Sequence, residues 1–293
     1  MNYLSLGASL YLPATRSDLY DIVVNGKYPF LKSVILDTED SVLFEDLETS
    51  YDNLKKLLKE ISIKKKSNDI IVFVRPRNVE ELEKIVSFEY IDCIDGFVLP
   101  KFSVENMHDY LKFQPKDKWY MPVLERNVFS EREITLIRDF LIQNKKNLLS
   151  VRIGITDILN LLRTRRGKSQ VIYDIPVASH IISLIVSSFA PYDINISGPI
   201  FEFIGEDGFD LLRKEVKIDI QNGLFGKSAI HPSQVQIIQE LYKVSIEEYD
   251  IACSILNPNS PAVYKLYDHM QEIKTHSEWA KRIIERKEIY GLN

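Results

Sequence analysis

Carboxylates and guanidinium groups stand at the ends of short apolar runs in this chain, and their types suit chemistry on a small acid. Asp37-Thr38-Glu39-Asp40 follows the run 33–36, and Arg75-Pro76-Arg77-Asn78 follows 70–74. Pro100-Lys101 follows 96–99, Glu125-Arg126 follows 119–124, Gly154-Ile155-Thr156-Asp157 follows 149–153, and His231-Pro232 follows 227–230. Carboxylates brought together from different strands suit a hard cation. Mg²⁺ takes oxygen ligands, commonly one or two carboxylates, and leaves its other positions to water and substrate. Glu125 and Asp157 are each isolated from other acids and each follows a run, so they are the expected metal ligands. Helix caps or ion-pair partners are the plainer alternative for both. Asp37, Glu39 and Asp40 must point in different directions, and we read them as groups that order metal-bound water and basic side chains.

Arg75 supplies the complementary charge. Cleaving a bond beside a carbonyl leaves an enolate, and a metal acting as a Lewis acid together with a guanidinium would stabilise that charge where it develops. The planar fork of an arginine also matches a carboxylate at two points. The alternative for Arg75 is a partner for the acidic trio, and the two roles are compatible. Lys101, beside the metal pair, suits electrostatic or structural duty better than a Schiff base. His231 within Ile-His-Pro is expected to be held by hydrogen bonds at the mouth rather than to act as a base. His108, His180, His269 and His276 show no metal-ligand spacing.

The elements that would position these groups are legible. Eight apolar runs, at 9–12, 33–36, 70–74, 96–99, 119–124, 149–153, 194–201 and 227–230, alternate with helical stretches. In 46–60, Leu47, Tyr51, Leu54, Leu57 and Leu58 recur at helical spacing. Ser130 with Glu133 predicts a capping box, and Asn78 with Glu81 a similar helix start. Parallel strands need crossover connections, and eight such units can close into a barrel. An open doubly wound sheet is the rival, but no G-x-G-x-x-G follows the first run. The expected fold is thus α/β, a (β/α)8 barrel over 1–243, with a helical extension over 244–293. Helices are expected there at 233–242, 245–256 and 277–290, the second opened by a Ser245/Glu248 box. Barrel chemistry sits at the C-terminal ends of strands, where the ionisable residues fall.

Composition narrows the partners. The net charge of −5 argues against a nucleic-acid binder, and no stretch approaches the length of a bilayer span. The start MNYLSLGASLYLP has no basic segment or cleavage site of a signal peptide. Two cysteines, Cys93 and Cys253, both in apolar sequence, suggest neither a disulfide framework nor a thiolate metal site, and a cytoplasmic location is expected. The run Lys64-Lys65-Lys66 reads as a solvated loop, and Trp119 with most tyrosines and phenylalanines reads as core.

In order, the blocks ASLYLPATR, ILDTEDSV, VRPRN, GFVLPK, PVLE, IGITDIL and GLFGKSAIHPSQV resemble the citrate lyase beta-subunit-like, or HpcH/HpaI aldolase, family over about residues 8–240. LDTEDSV and GKSAIHPSQV are the most specific. The resemblance implies a TIM barrel of the phosphoenolpyruvate/pyruvate type, Mg²⁺ dependence, lyase or aldolase chemistry, and trimers or hexamers. By the same resemblance Arg75 would meet the substrate carboxylate and enolate, Glu125 and Asp157 the metal, and Glu39 and Asp40 the metal's waters. Arg16, in the first block, counts among the substrate-binding candidates with Lys101 and His231. The tail SPAVYKLYDHMQEIKTHSEWAKRI lacks the Gly-Lys lid of many acyl-CoA-using relatives, and the first loop reads PAT where relatives often carry Pro-Gly. A coenzyme A substrate is therefore not part of the expectation. The tail is more similar to a bacterial branch of C–C bond lyases associated with tellurium-resistance and stress genes.

Arg163, Arg165, Arg166 and Lys168 form the densest basic cluster, just beyond Asp157. Arg163 and Arg166 are expected to bind an anionic part of the substrate, a phosphate first of all, with pairing to another subunit as the alternative. Three functions fit these residues. They are a Mg²⁺-dependent lyase or aldolase acting on a 2-oxo acid or 3-hydroxy acid derivative, another metal enzyme on an enolate, and a non-catalytic small-molecule binder. No P-loop is present, which weakens nucleotide-driven phosphoryl transfer. The full set of ionisable residues favours the first over the binder.

Overall fold

Along each apolar run, side chains alternate between two faces, and both faces are buried, as a parallel sheet covered by helices requires. The computed structural model, which describes residues 1–126 and 128–293, contains eight such strands. They are β1 (Ala8–Pro13), β2 (Ser33–Asp37), β3 (Ile71–Arg75), β4 (Gly96–Leu99), β5 (Trp119–Leu124), β6 (Val151–Ile153), β7 (Ile196–Ser197) and β8 (Lys227–Ala229). Neighbours pair in parallel in the order β7-β6-β5-β4-β3-β2-β1-β8. The ring closes through a parallel bridge between Gly198 and Lys227, where Gly198 N–H donates to the Gly226 carbonyl at 2.6 Å. This is the expected (β/α)8 barrel, and each expected run overlaps one strand.

The surrounding helices are α1 (Leu19–Val23), α2 (Leu47–Lys64), α3 (Val79–Val86), α4 (Met107–Phe113), α5 (Glu131–Gln143), α6 (Ile155–Leu161), α7 (Pro176–Phe189), α8 (Phe209–Gln221) and α9 (Pro232–Leu241). α2 buries Tyr51, Leu54, Leu57, Leu58 and Ile61, the stripe read from its periodicity. The Asn78 and Ser130 side chains accept the backbone N–H of Glu81 and Glu133, so both helices are capped where expected, Ser130 by this one bond rather than by a reciprocal box. α6 begins two residues past β6, and it sets Asp157 in a first helical turn.

The chain divides into two compact units, Met1–Ile237 and Ile238–Asn293. The second unit contains α10 (Ile246–Leu256), a hairpin of β9 (Val263–Leu266) and β10 (His269–Glu272), and α11 (Ile273–Tyr290). Val244, Ile251, Ala252, Ile255, Ala280 and Ile283 form its core. Ser245 and Glu248 complete the reciprocal capping box of α10. The hairpin lies between two of the helices expected here, in a stretch to which no element was assigned. Its two-residue turn, Tyr267-Asp268, has positive φ at both positions, 51° and 63°. That turn type is signalled in sequence by Asn-Gly or Asp-Gly, and Tyr-Asp carries no such signal.

Candidate active site at the barrel mouth

Parity along the strands decides which side chains enter the barrel. Tyr11, Asp37, Arg75, Val123, Glu125, Arg152, Gly154, Ser228 and Ile230 hold inward positions and line a cavity of about 280 Å³ at the C-terminal ends of the strands. Asp40, Ser41, Ile153, Ile155, Thr156, Asp157 and Ile200 complete its wall. The strand register sets Asp37 directly beside Arg75. Their side chains therefore meet in a two-point pair, Nε to Oδ1 at 2.6 Å and Nη2 to Oδ2 at 2.8 Å. Arg75 Nη1 also lies 2.9 Å from Glu39 Oε2, at ion-pair distance but off the line of a hydrogen bond. Burial pushes the Asp37 carboxyl up, but the Arg75 guanidinium outweighs it and holds Asp37 below the usual carboxylate range.

Lys101 stands at φ +50° just past β4. Its ammonium group meets Glu39 and, at 3.0 Å, Asp40 Oδ1, while its backbone N–H donates to Glu125 Oε1. Burial pushes Glu39 up to about 7 in spite of Arg75 and Lys101. Glu125 goes further, to about 8, because burial is reinforced by the charges of Asp157 and Glu39. Gly154 makes room for this carboxylate, since a Cβ there would collide with it. Neither Glu125 nor Asp157 has a Lys, Arg or His side chain as partner among the described residues. Two neighbouring carboxylates lacking a cation fit a divalent metal. No group of three or more His, Cys, Asp or Glu side chains suited to a metal occurs among the described residues. A cation on Glu125 and Asp157 would therefore keep most of its positions for water and substrate, as Mg²⁺ commonly does.

Other expected site residues lie elsewhere. Arg16 is exposed and forms a two-point pair with Asp18 at 2.8 Å, on a separate surface depression beside Tyr20 and Lys64. Arg166 is buried, paired with Glu202 at 3.0 Å and Glu215 at 2.6 Å and bonded to the Ile200 carbonyl, so its guanidinium is occupied by the protein. Arg163 is exposed and does not line the cavity. The anion-binding loop expected of Arg163 and Arg166 is thus not assembled at the mouth. His231 is exposed, with Nδ1 2.7 Å from Ser233 Oγ and accepting the Ser233 N–H, which fixes it at the start of α9. The sequence reading missed Arg152 and Tyr11. The signal was available: Arg152 is a charged residue inside an apolar strand, two positions before Gly154 and so on the same face.

Several solved structures share the fold. The protein CitE from Mycobacterium tuberculosis, in complex with magnesium, acetoacetate and coenzyme A, is 18% identical with a TM-score of 0.69, over 96% of this chain and 97% of that one. The citrate lyase beta subunit from M. tuberculosis, complexed with oxaloacetate and magnesium, is 19% identical at a TM-score of 0.62, over 83% and 99%. A citrate lyase from Burkholderia xenovorans LB400 is 14% identical at a TM-score of 0.77, over 98% and 93%. No curated protein matches in sequence. The family of C–C bond lyases of the TIM-barrel fold matches residues 1–292. With that match over nearly its whole length, the chain belongs to the C–C bond lyases of the TIM-barrel fold.

Proposed function

We propose that this lyase is Mg²⁺-dependent and makes or breaks a carbon–carbon bond next to a carboxylate, on a 2-oxo acid or 3-hydroxy acid derivative, through an enolate. The observation that carries the proposal is the Glu125–Asp157 pair, two carboxylates at the cavity without a cationic side-chain partner among the described residues, with Arg75 on the same wall. Glu125 and Asp157 would hold the metal, which when bound supplies a Lewis acid for the oxygen that becomes the enolate. Structures similar in fold hold magnesium with acetoacetate, oxaloacetate or pyruvate, which agrees with a small oxo acid.

The chain's own residues would do the rest. In the cleavage direction the hydroxyl proton leaves, the hydroxyl carbon becomes a carbonyl, and the bonding pair passes to the enolate, which then takes up a proton. Asp40 presents its carboxylate at the cavity wall, and Glu39, held near 7, is suited to store a proton behind it. Arg75, positioned by Asp37, keeps positive charge beside the developing enolate, where losing one such donor costs about 3–4 kcal/mol. Lys101 balances Glu39 and Asp40 and holds Glu125 through its backbone N–H.

Calorimetric titration of Mg²⁺, then pyruvate or oxaloacetate, into wild type and Glu125→Ala tests the metal assignment. Binding is expected only in wild type, and equal binding in both would remove it. Turnover assays on hydroxy acids, free and as thioesters, separate lyase from binder. Homo-oligomeric assembly and a cytoplasmic location belong to the same reading. No helix among the described residues is long and apolar enough to cross a membrane.

A further inference from the structure

Arg152 on β6 is 1% exposed, yet it lines the mouth cavity. Its guanidinium donates to Ser228 Oγ at 2.8 Å, and its Nη1 reaches only the Met121 thioether, at 3.6 Å. Its Nε has no hydrogen-bond partner among the described residues. Among the described residues no carboxylate lies within ion-pair distance of it. An arginine cannot shed its charge, so this is a buried cation without a counter-ion. The contrast with Arg75 is direct, because Arg75 is already engaged by Asp37 and Glu39. The two guanidinium groups approach one aromatic ring, Tyr11, with Cζ to centroid distances of 4.9 Å for Arg75 and 5.6 Å for Arg152.

We propose that Arg152 is the seat for a second anionic group of the substrate, remote from the end that meets the metal. The substrate would then be a small molecule with two anionic groups, the second a carboxylate or a phosphoryl-type group. A guanidinium with unused donors recognises either, by charge and by its planar fork. The cavity volume of about 280 Å³ suits such a compact molecule. This rests on the metal–enolate reading for the first end of the substrate only.

The test uses three 2-oxo acids that differ at their third carbon: pyruvate, oxaloacetate and 3-phosphonopyruvate. Each is titrated calorimetrically into the Mg²⁺-loaded full-length protein, as wild type, Arg152→Met and Arg152→Lys. Wild type is expected to bind oxaloacetate or phosphonopyruvate at least about tenfold more tightly than pyruvate, and whichever gains more identifies the second group. Arg152→Met should erase that preference while Mg²⁺ and pyruvate affinities stay within about threefold, and Arg152→Lys should keep part of it. Thermal unfolding gives an independent readout. Replacing an unpaired buried charge by an apolar chain of similar size should leave the Tm unchanged or raise it, whereas a purely structural arginine would lower it. A preference that survives in Arg152→Met, or its absence in wild type, overturns the proposal. Failure of wild type to bind Mg²⁺ overturns the lyase mechanism instead, and the same affinity ratios, measured without metal, then decide the role of Arg152.

Discussion

Two clusters of charge in the barrel unit can be set side by side. In the first, Arg166 and Lys227 meet Glu202, Glu215 and Asp219 between α8, β8 and the loop before α7. Tyr173 Oη donates to Asp219 at 2.6 Å, and the Ile172 N–H donates to Glu215 at 2.7 Å. Burial alone would depress the Lys227 ammonium, but Asp219 and Glu215 hold it above its ordinary range. Each cation has carboxylates and each carboxylate has donors, so nothing is left for a ligand. In the second cluster, at the barrel mouth, Arg75, Asp37, Glu39 and Lys101 pair with one another, but Arg75 still lines the cavity and Glu39 Oε2 has no hydrogen-bond partner among the described residues. Glu125, Asp157 and Arg152 are more open still, with no cationic or anionic side-chain partner among the described residues. The difference separates charge that holds the fold from charge that awaits something. A closed network is expensive to break, and an open one is expensive to keep without function.

That comparison can be broken experimentally. The largest effect is expected at the open acids: Glu125→Gln or Asp157→Asn should lower turnover at least about 10³-fold with little loss of Tm, as seen by paired kinetic and melting measurements. Next comes the closed network. Lys227→Met leaves Glu215 and Asp219 buried without their ammonium, and it should cost about 3–5 kcal/mol in chemical denaturation. A catalytic defect in a Lys227→Met protein that stays fully stable would contradict the division.

The mouth should also show its imbalance as a pH effect. Glu125, raised to about 8, and Glu39, raised to about 7, bind protons in the folded state that the unfolded chain has released. Metal-free stability is therefore greatest below about pH 4.5 for these groups and is lost as pH rises towards 8. Mg²⁺ must displace the Glu125 proton, so its apparent affinity should climb by about tenfold per pH unit up to about pH 8 and then level off. A pH-independent Mg²⁺ titration between pH 6 and 8 would sink this account. The smallest effect belongs to the exposed Arg163. Arg163→Ala should change stability by less than about 0.5 kcal/mol and leave KM unaltered, and a raised KM would return that loop to the site.

Much of this was legible beforehand, for identifiable reasons. Strands with two buried faces leave continuous apolar runs, helices leave a 3.6-residue stripe, and the family's blocks stand in order, so the barrel, the inward positions of Arg75 and Glu125, and the place of Asp157 just past β6 could be read. Arg16 and Arg166 show where the reading stopped. Both are arginines near expected site segments, but one meets Asp18 two residues away and the other meets Glu215 forty-nine residues away. Sequence position alone does not separate them from a ligand-binding arginine.

By itself, the sequence determined which residue types arrive at the barrel mouth, because alternation and strand order are local and periodic properties. Only the tertiary structure decided which of those charges are already spent. Pairing depends on register and on helices from distant parts of the chain: Asp37 beside Arg75 through β2 and β3, and α8 carrying Glu215 and Asp219 to Lys227. Arg152 was visible only as a charged residue in an apolar strand. That it has no counter-ion is a property of its surroundings, and those come from Met121, Ser228 and Tyr11 on three other strands.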